Sequence, residues 1–265
     1  MKQKFGALTL LLAFSLVVQA HEFWMQPNKF RIKVGESISV SFKVGENFIG
    51  QPWPVKKARI EKLQLHNGNN VKDMNALLQE GEKDNLKITA SEEGTHLVVM
   101  ESNNAFIASD GKSFTEYLEE DGLDEVLSYR EKMKMMDDSA KEFYSRHTKL
   151  LFQVGEKTDD TFRKEVGLPV EIVPQRNPYN LKVGDPVHFK ILHNGKPLFG
   201  AKVKVWNRYN NRTTTQNIYS QQDGMIETRI SNPGLWMVSV VNMVPLKDSK
   251  AEWQSYWASL VFGIQ

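Results

Sequence analysis

The sequence predicts a mostly β chain of two β-sandwich, immunoglobulin-like domains, the first carrying a short helical insertion. Three observations lead there. Ile38, Val40, Phe42 and Val44 alternate with Ser37, Ser39, Ser41 and Lys43, the period of a strand with one buried face. Val187, Phe189 and Ile191 repeat that period in the second half, ahead of an Asn194-Gly195 hairpin signal. Between them, Phe114, Tyr117, Leu118, Val126 and Leu127 fall near helical spacing among acids and lysines.

In chain order, residues 1–20 read as an export signal. Lys2 and Lys4 precede an uncharged apolar run from Gly6 to Val18, and Val18-Gln19-Ala20 supplies small residues at the −3 and −1 positions of a cleavage site. The run is shorter than the roughly 20 residues that cross a bilayer as a helix. The expectation is a periplasmic protein, cut after Ala20 and not an integral membrane protein afterwards. The first domain is expected over residues 21–165. Its strands lie around residues 37–44, 58–65, 86–89, 95–100 and 105–107, and 141–154 returns to apolar strand character. Residues 113–136 are expected to form two short helices broken at Asp121-Gly122. The second domain is expected over residues 166–265, with strands at 187–191, 201–206, 226–230, 236–241 and 257–262 separated by turn residues such as Gln222-Asp223-Gly224.

Composition narrows the function. Lys and Arg number 34 and Asp and Glu 32, and without residues 1–20 the two are equal. A neutral chain with no dense basic run is not built for nucleic acid, because phosphate binding needs concentrated positive charge. The absence of cysteine excludes disulfides, thiol catalysis and zinc–thiolate sites. There is no Gly-x-Ser-x-Gly elbow, no His-Glu-x-x-His pair and no phosphate-binding glycine loop.

The most specific chemical statement lies at the expected cut. Cleavage after Ala20 makes His21 the first residue, and its α-amine and Nδ1 together close a six-membered chelate on one metal ion. Both are nitrogen donors with ordinary pKa values of about 7.7 and 6.5, suited to Ni(II), Co(II), Cu(II) or Zn(II). His147, between Arg146 and Lys149, is the best further ligand, since neighbouring positive charge favours the neutral imidazole. His96 shares a strand face with Val98 and Met100 and reads as a half-buried residue, third in the candidate set. His188 and His193 lie on the face opposite Val187 and Ile191, and His66, beside Asn67-Gly68, reads as a turn residue. The run Lys132-Met133-Lys134-Met135-Met136-Asp137 offers soft thioethers but reads as the apolar stripe of a short helix.

Several segments resemble one family: Ala20-His21-Glu22-Phe23-Trp24-Met25-Gln26-Pro27, Phe114-Thr115-Glu116-Tyr117-Leu118-Glu119-Glu120-Asp121-Gly122-Leu123, Tyr144-Ser145-Arg146-His147-Thr148-Lys149, Gly167-Leu168-Pro169-Val170-Glu171-Ile172-Val173-Pro174 and Ser255-Tyr256-Trp257-Ala258-Ser259-Leu260. They resemble an exported bacterial family of unknown function whose members are often described as the periplasmic component of nickel or cobalt uptake. Members often carry a histidine where this chain has Asn242. The resemblance implies a non-enzymatic transition-metal binder of the nickel or cobalt class, with a membrane metal transporter as partner. A structural or adhesion module binding protein or glycan is the alternative. A copper oxidase with an N-terminal histidine brace is third.

Overall fold

A computed structural model describes residues 22–81 and 83–265. The alternating segments form strands as their periodicity requires. The first half contributes β1 (Glu22–Pro27), β2 (Arg31–Ile32), β3 (Ser37–Glu46), β4 (Ile49–Pro52), β5 (Ile60–Asn67), β6 (Asn70–Asp73), β7 (Leu86–Thr89), β8 (Gly94–Ser102) and β9 (Ala105–Ser109). Helices α1 (Gly111–Asp121) and α2 (Asp124–Lys132) lead into the long strand β10 (Ala140–Val154). The second half adds β11 (Val170–Pro174), β12 (Pro186–His193), β13 (Lys196–Pro197), β14 (Lys202–Tyr209), β15 (Arg212–Tyr219), β16 (Met225–Arg229), β17 (Gly234–Pro245) and β18 (Trp253–Ile264). The chain is mostly β, with several sheets packed face to face as in a β-sandwich and none closed into a barrel.

The strands sort into three sheets. The first holds β1, β3 and β4, with β7 beside β3; the third holds β11, β12 and β13, with β16 beside β12. Between them lies a ten-stranded sheet in the order β15-β14-β17-β18-β10-β8-β5-β6, with β2 and β9 also on β10. Residue 165 falls between β10 and β11, yet this middle sheet draws strands from both sides of it. The junction is the parallel pairing of β10 with β18, from Glu142↔Trp253 to Leu150↔Val261.

Alternation along a strand sends neighbouring side chains to opposite faces, and here both faces are covered. Leu150, Phe152, Val154, Val98, Met100 and Val261 pack with Phe23, Met25, Val40 and Phe42 of the first sheet. Leu151, Leu97, Val99, Leu260 and Phe262 pack with Val170, Ile172, Phe189 and Ile191 of the third. Each core is a sandwich, and the two share their middle layer. A smaller core lies where Phe114, Leu118 and Val126 of the helices cover Val241, Met243 and Trp253.

The helices begin and end by local chemistry. Asp110 caps α1 by accepting from Ser113 N at 3.0 Å, and this bonding holds its carboxyl below the usual range. Gly122 ends the helix in the left-handed region at φ 65°, as a glycine readily does; a Cβ there would lie 2.5 Å from the side chain of Lys202.

One ion pair ties the third sheet to the middle one. Lys149 Nζ lies 2.8 Å from Glu171 Oε1, with both side chains buried, and also donates to Lys164 O at 3.0 Å. The Glu171 carboxylate accepts from Val166 N at 2.8 Å and Gly167 N at 3.1 Å, so it fixes the connection between β10 and β11 as well as the strands. Removing one member of such a pair strands a buried charge, at a cost of about 3–5 kcal/mol. Glu171→Ala is therefore expected to lower unfolding stability by that order in chemical denaturation. The double change Lys149→Met, Glu171→Leu should recover most of the loss; recovery of none would show that the peptide N–H contacts of Glu171 carry the effect.

Candidate functional site

His21 lies outside the described residues, so the site is built from Glu22 onward. Phe23 O accepts from Ser259 Oγ at 2.7 Å, and β1 runs antiparallel to β3 from Glu22↔Gly45. Glu22 is consequently fixed over the middle sheet, buried, with Oε1 3.1 Å from Lys204 Nζ. The same ammonium lies 2.7 Å from Oδ1 of Asp121, the last residue of α1. Asp121 is itself buried, and its Oδ2 has no hydrogen-bond partner among the described residues. Glu22, Asp121, Lys204, Ser239 and Trp257 line a cavity of about 10 Å³, room for about one water molecule.

Charge in this pocket is short on the positive side. Burial raises the Glu22 carboxyl against the pull of Lys204, and raises Asp121 to about 6. For Lys204, burial acts downward but is outweighed by Asp121 and Glu22, so its ammonium stays charged above the ordinary lysine range. Nearby, Glu142 accepts from Ser255 Oγ at 2.6 Å, and Ser255 accepts from Trp257 Nε1 at 3.1 Å. Burial first, opposed by the Ser255 hydrogen bond and assisted by the charge of Asp121, raises Glu142 to about 7. Tyr117 stacks on Trp257 with ring centroids 5.6 Å apart. Two buried carboxyl groups thus share one lysine, with a third, Glu142, close enough to feel the charge of Asp121, an arrangement that favours protons or a further cation.

The other predicted ligands are elsewhere. His147 shares the face of Lys149 and Leu151, opposite the face that β1 covers. It is 1% exposed, with Ser145 Oγ 2.9 Å from Nε2. Its Nδ1 has no hydrogen-bond partner among the described residues, and Glu101 Oε1 is 3.9 Å away. The imidazole is held neutral, at about 3, as expected, but for a different reason: burial comes first, then Lys62. Arg146 is on the opposite face, its guanidinium 4.8 Å from the Phe23 ring and 5.6 Å from that of Trp53, and Lys149 is spent on Glu171. His96 is buried and stacked on Phe152 at 4.9 Å, with Nδ1 3.2 Å from Gly94 O. The middle sheet therefore separates His96 from His147, and the fold does not bring the two together. His66 is not a turn residue: β5 runs on to Asn67, and the ring is buried beside Gln64 Oε1 at 3.2 Å. Among the described residues no group of three or more His, Asp or Glu is placed to hold a metal.

Asp121, Lys204 and Glu142 are absent from the sequence-based candidates. Lys204 carried a usable signal: in Lys202-Val203-Lys204-Val205-Trp206 it shares a face with Trp206, so a buried lysine needing a carboxylate partner was implied.

The chain matches the family described as domain of unknown function DUF4198 over residues 18–244. It belongs to that family. The match runs from the expected cleavage segment into β17, and so takes in Glu22, Asp121, Glu142, Lys204 and Ser239 but not Ser255, Trp257 or Ala258 of β18. Among curated proteins, none matches this DUF4198 chain significantly. Among solved structures, it is similar to dimeric latent PorU from Porphyromonas gingivalis over 92% of this chain and 20% of that one, at 11% identity and a TM-score of 0.19, a level from which no shared fold follows.

Two pH effects follow from these groups. A buried acid with a raised pKa binds more protons folded than unfolded, so Glu142 makes stability fall as pH rises from about 4.5 to about 7. Glu142→Gln should leave the melting temperature near wild type at pH 4 and raise it at pH 8; the same difference at both values would contradict the assignment. His147 acts in the other direction. Its folded pKa lies below the unfolded value, so its contribution is lost as pH falls from about 6.5 toward about 3. His147→Asn should flatten that part of the urea-midpoint profile.

Proposed function

We propose that this chain is an exported, non-catalytic protein that captures a divalent transition metal at the N-terminus left by cleavage after Ala20, serving metal uptake or handling. The observation that supports this reading most is the pocket at the start of β1. Glu22 and Asp121 lie buried there around a single lysine, and one Asp121 oxygen is unpartnered among the described residues. His21 precedes Glu22 directly in the sequence. Its amine and imidazole are thereby tethered to a region of excess negative charge, and two nitrogens with a carboxylate oxygen suit Ni(II) and Co(II), as well as Cu(II) and Zn(II).

On this reading His21 supplies the chelate and Asp121 the nearest carboxylate, while His147 and His96 are outside the shell. The metal displaces the Lys204 contact to Asp121, so protons and the lysine both compete with it. Affinity falls as pH drops through the histidine range, because the ligand nitrogens must be deprotonated. A periplasmic location and a membrane transporter as recipient belong to the same proposal and rest on the export-like leader and the family resemblance.

Calorimetric titration of Ni(II), Co(II), Cu(II) and Zn(II) tests it, using protein whose mass confirms a His21 start beside protein carrying one extra N-terminal residue. The expected result is one-to-one binding that disappears in the extended protein. Asp121→Asn should weaken it at least about tenfold, the loss seen even for groups that only support a metal ligand. Equal binding in both proteins, or none in either, would remove the proposal.

A further inference from the structure

The methionine run does not form the helical stripe its spacing suggests. Helix α2 ends at Lys132, Met133 is its C-cap, and Lys134 takes a left-handed φ of 58°. The chain therefore turns out of the helix, and the methionines part company. Met133 becomes exposed. Met135 is carried back along α2, and its carbonyl accepts from Arg130 Nη2 at 2.5 Å. Arg130 also donates to Asp138 O at 2.6 Å and lies 4.9 Å from the Phe114 ring. This buried clamp fixes the turn in one conformation.

The result is a cleft of about 610 Å³ between α2, the turn and the end of the β17–β18 hairpin, within the size range of built ligand sites. Met135 of the turn and Met243 of β17 both line it, as do the indole of Trp253 and the ring of Tyr129. The two rings meet edge to face at 5.8 Å and 79°. Glu125, Asp248 and Glu252 stand among the lining residues, against Arg130 and Lys247. Two thioethers are soft donors, an indole face attracts a cation, and a lining with more carboxylates than cations favours a positive ion. No cysteine is present to compete for a soft metal.

We infer that this cleft is a second metal site, specific for a soft monovalent cation of the Cu(I) or Ag(I) class, held by Met135 and Met243 against Trp253. It uses none of the groups proposed at the N-terminus and stands or falls independently of them. Its hard-cation affinity is low, since thioethers and a π face offer little to Ni(II) or Co(II).

The test uses Ag(I), which needs no reductant, and the protein with one extra N-terminal residue, so that a His21 chelate does not contribute. Binding is followed by Trp fluorescence and calorimetry. The expected result is one equivalent bound, with quenching of the indole emission. The double change Met135→Leu, Met243→Leu keeps side-chain volume and should weaken binding at least about tenfold, the loss seen even for groups that only support a metal ligand. Met133→Leu should have no effect. An unchanged melting temperature in the double variant shows that the cleft is intact. Absence of Ag(I) binding, or equal binding by the double variant, would overturn the inference. Failure here leaves the N-terminal proposal untouched, because that site is muted throughout.

Discussion

The structure depends on β10 being paired on both edges and, over residues 147–154, covered on both faces. Its fifteen residues carry β18 and β2 along one edge and β9 and β8 along the other, with the first sheet above and the third below. Over residues 147–154 the strand has no solvent-facing side, so its sequence loses the polar–apolar alternation of an outer strand and becomes a continuous buried run. Polar residues on it must then be satisfied inside the protein. Thr148 lies 2.7 Å from Ser259 Oγ, Lys149 has Glu171, Gln153 accepts from Thr95, and Glu142 has Ser255.

The two faces of the middle sheet treat charge differently. Toward the third sheet, one lysine meets one carboxylate, and the remaining acceptor capacity is met by peptide N–H groups. Toward the first sheet and the helices, Lys204 faces Asp121 and Glu22, with Glu142 nearby, so negative groups outnumber positive ones. The first is a clamp, complete as it stands. The second leaves one Asp121 oxygen without a partner among the described residues, and it lies beside the first described strand.

The strands, the helical insertion and the break at Gly122 were legible because each is set by local periodicity or by one residue's backbone preference. The joining of both halves in a single sheet was not. Parallel pairing of Glu142–Leu150 with Trp253–Val261 is a long-range choice with no local mark, and each strand alone also fits an independent sandwich. The methionine turn escaped for a related reason. Helical spacing over Lys132–Asp137 is satisfied on paper, but Arg130 reaching the carbonyls of Met135 and Asp138 stabilises a turn instead. His147 was rightly expected to be neutral, yet adjacency misled as to cause: on a strand, Arg146 and Lys149 do not share its surroundings as a pair, whereas Lys62, distant in sequence, does.

The pairing of β10 with β18 also orders events in time. Thr148 and Ser259, 111 residues apart, must meet before either sandwich has a complete middle layer. A chain emerging from its N-terminus holds the first sheet, both helices and β10 with one edge bare, and that edge is closed only when the last strand arrives. Contacts of such long sequence separation slow folding, and an uncovered central strand invites pairing with the wrong partner. The molecule is thus obliged to remain unfinished until almost all of it is available.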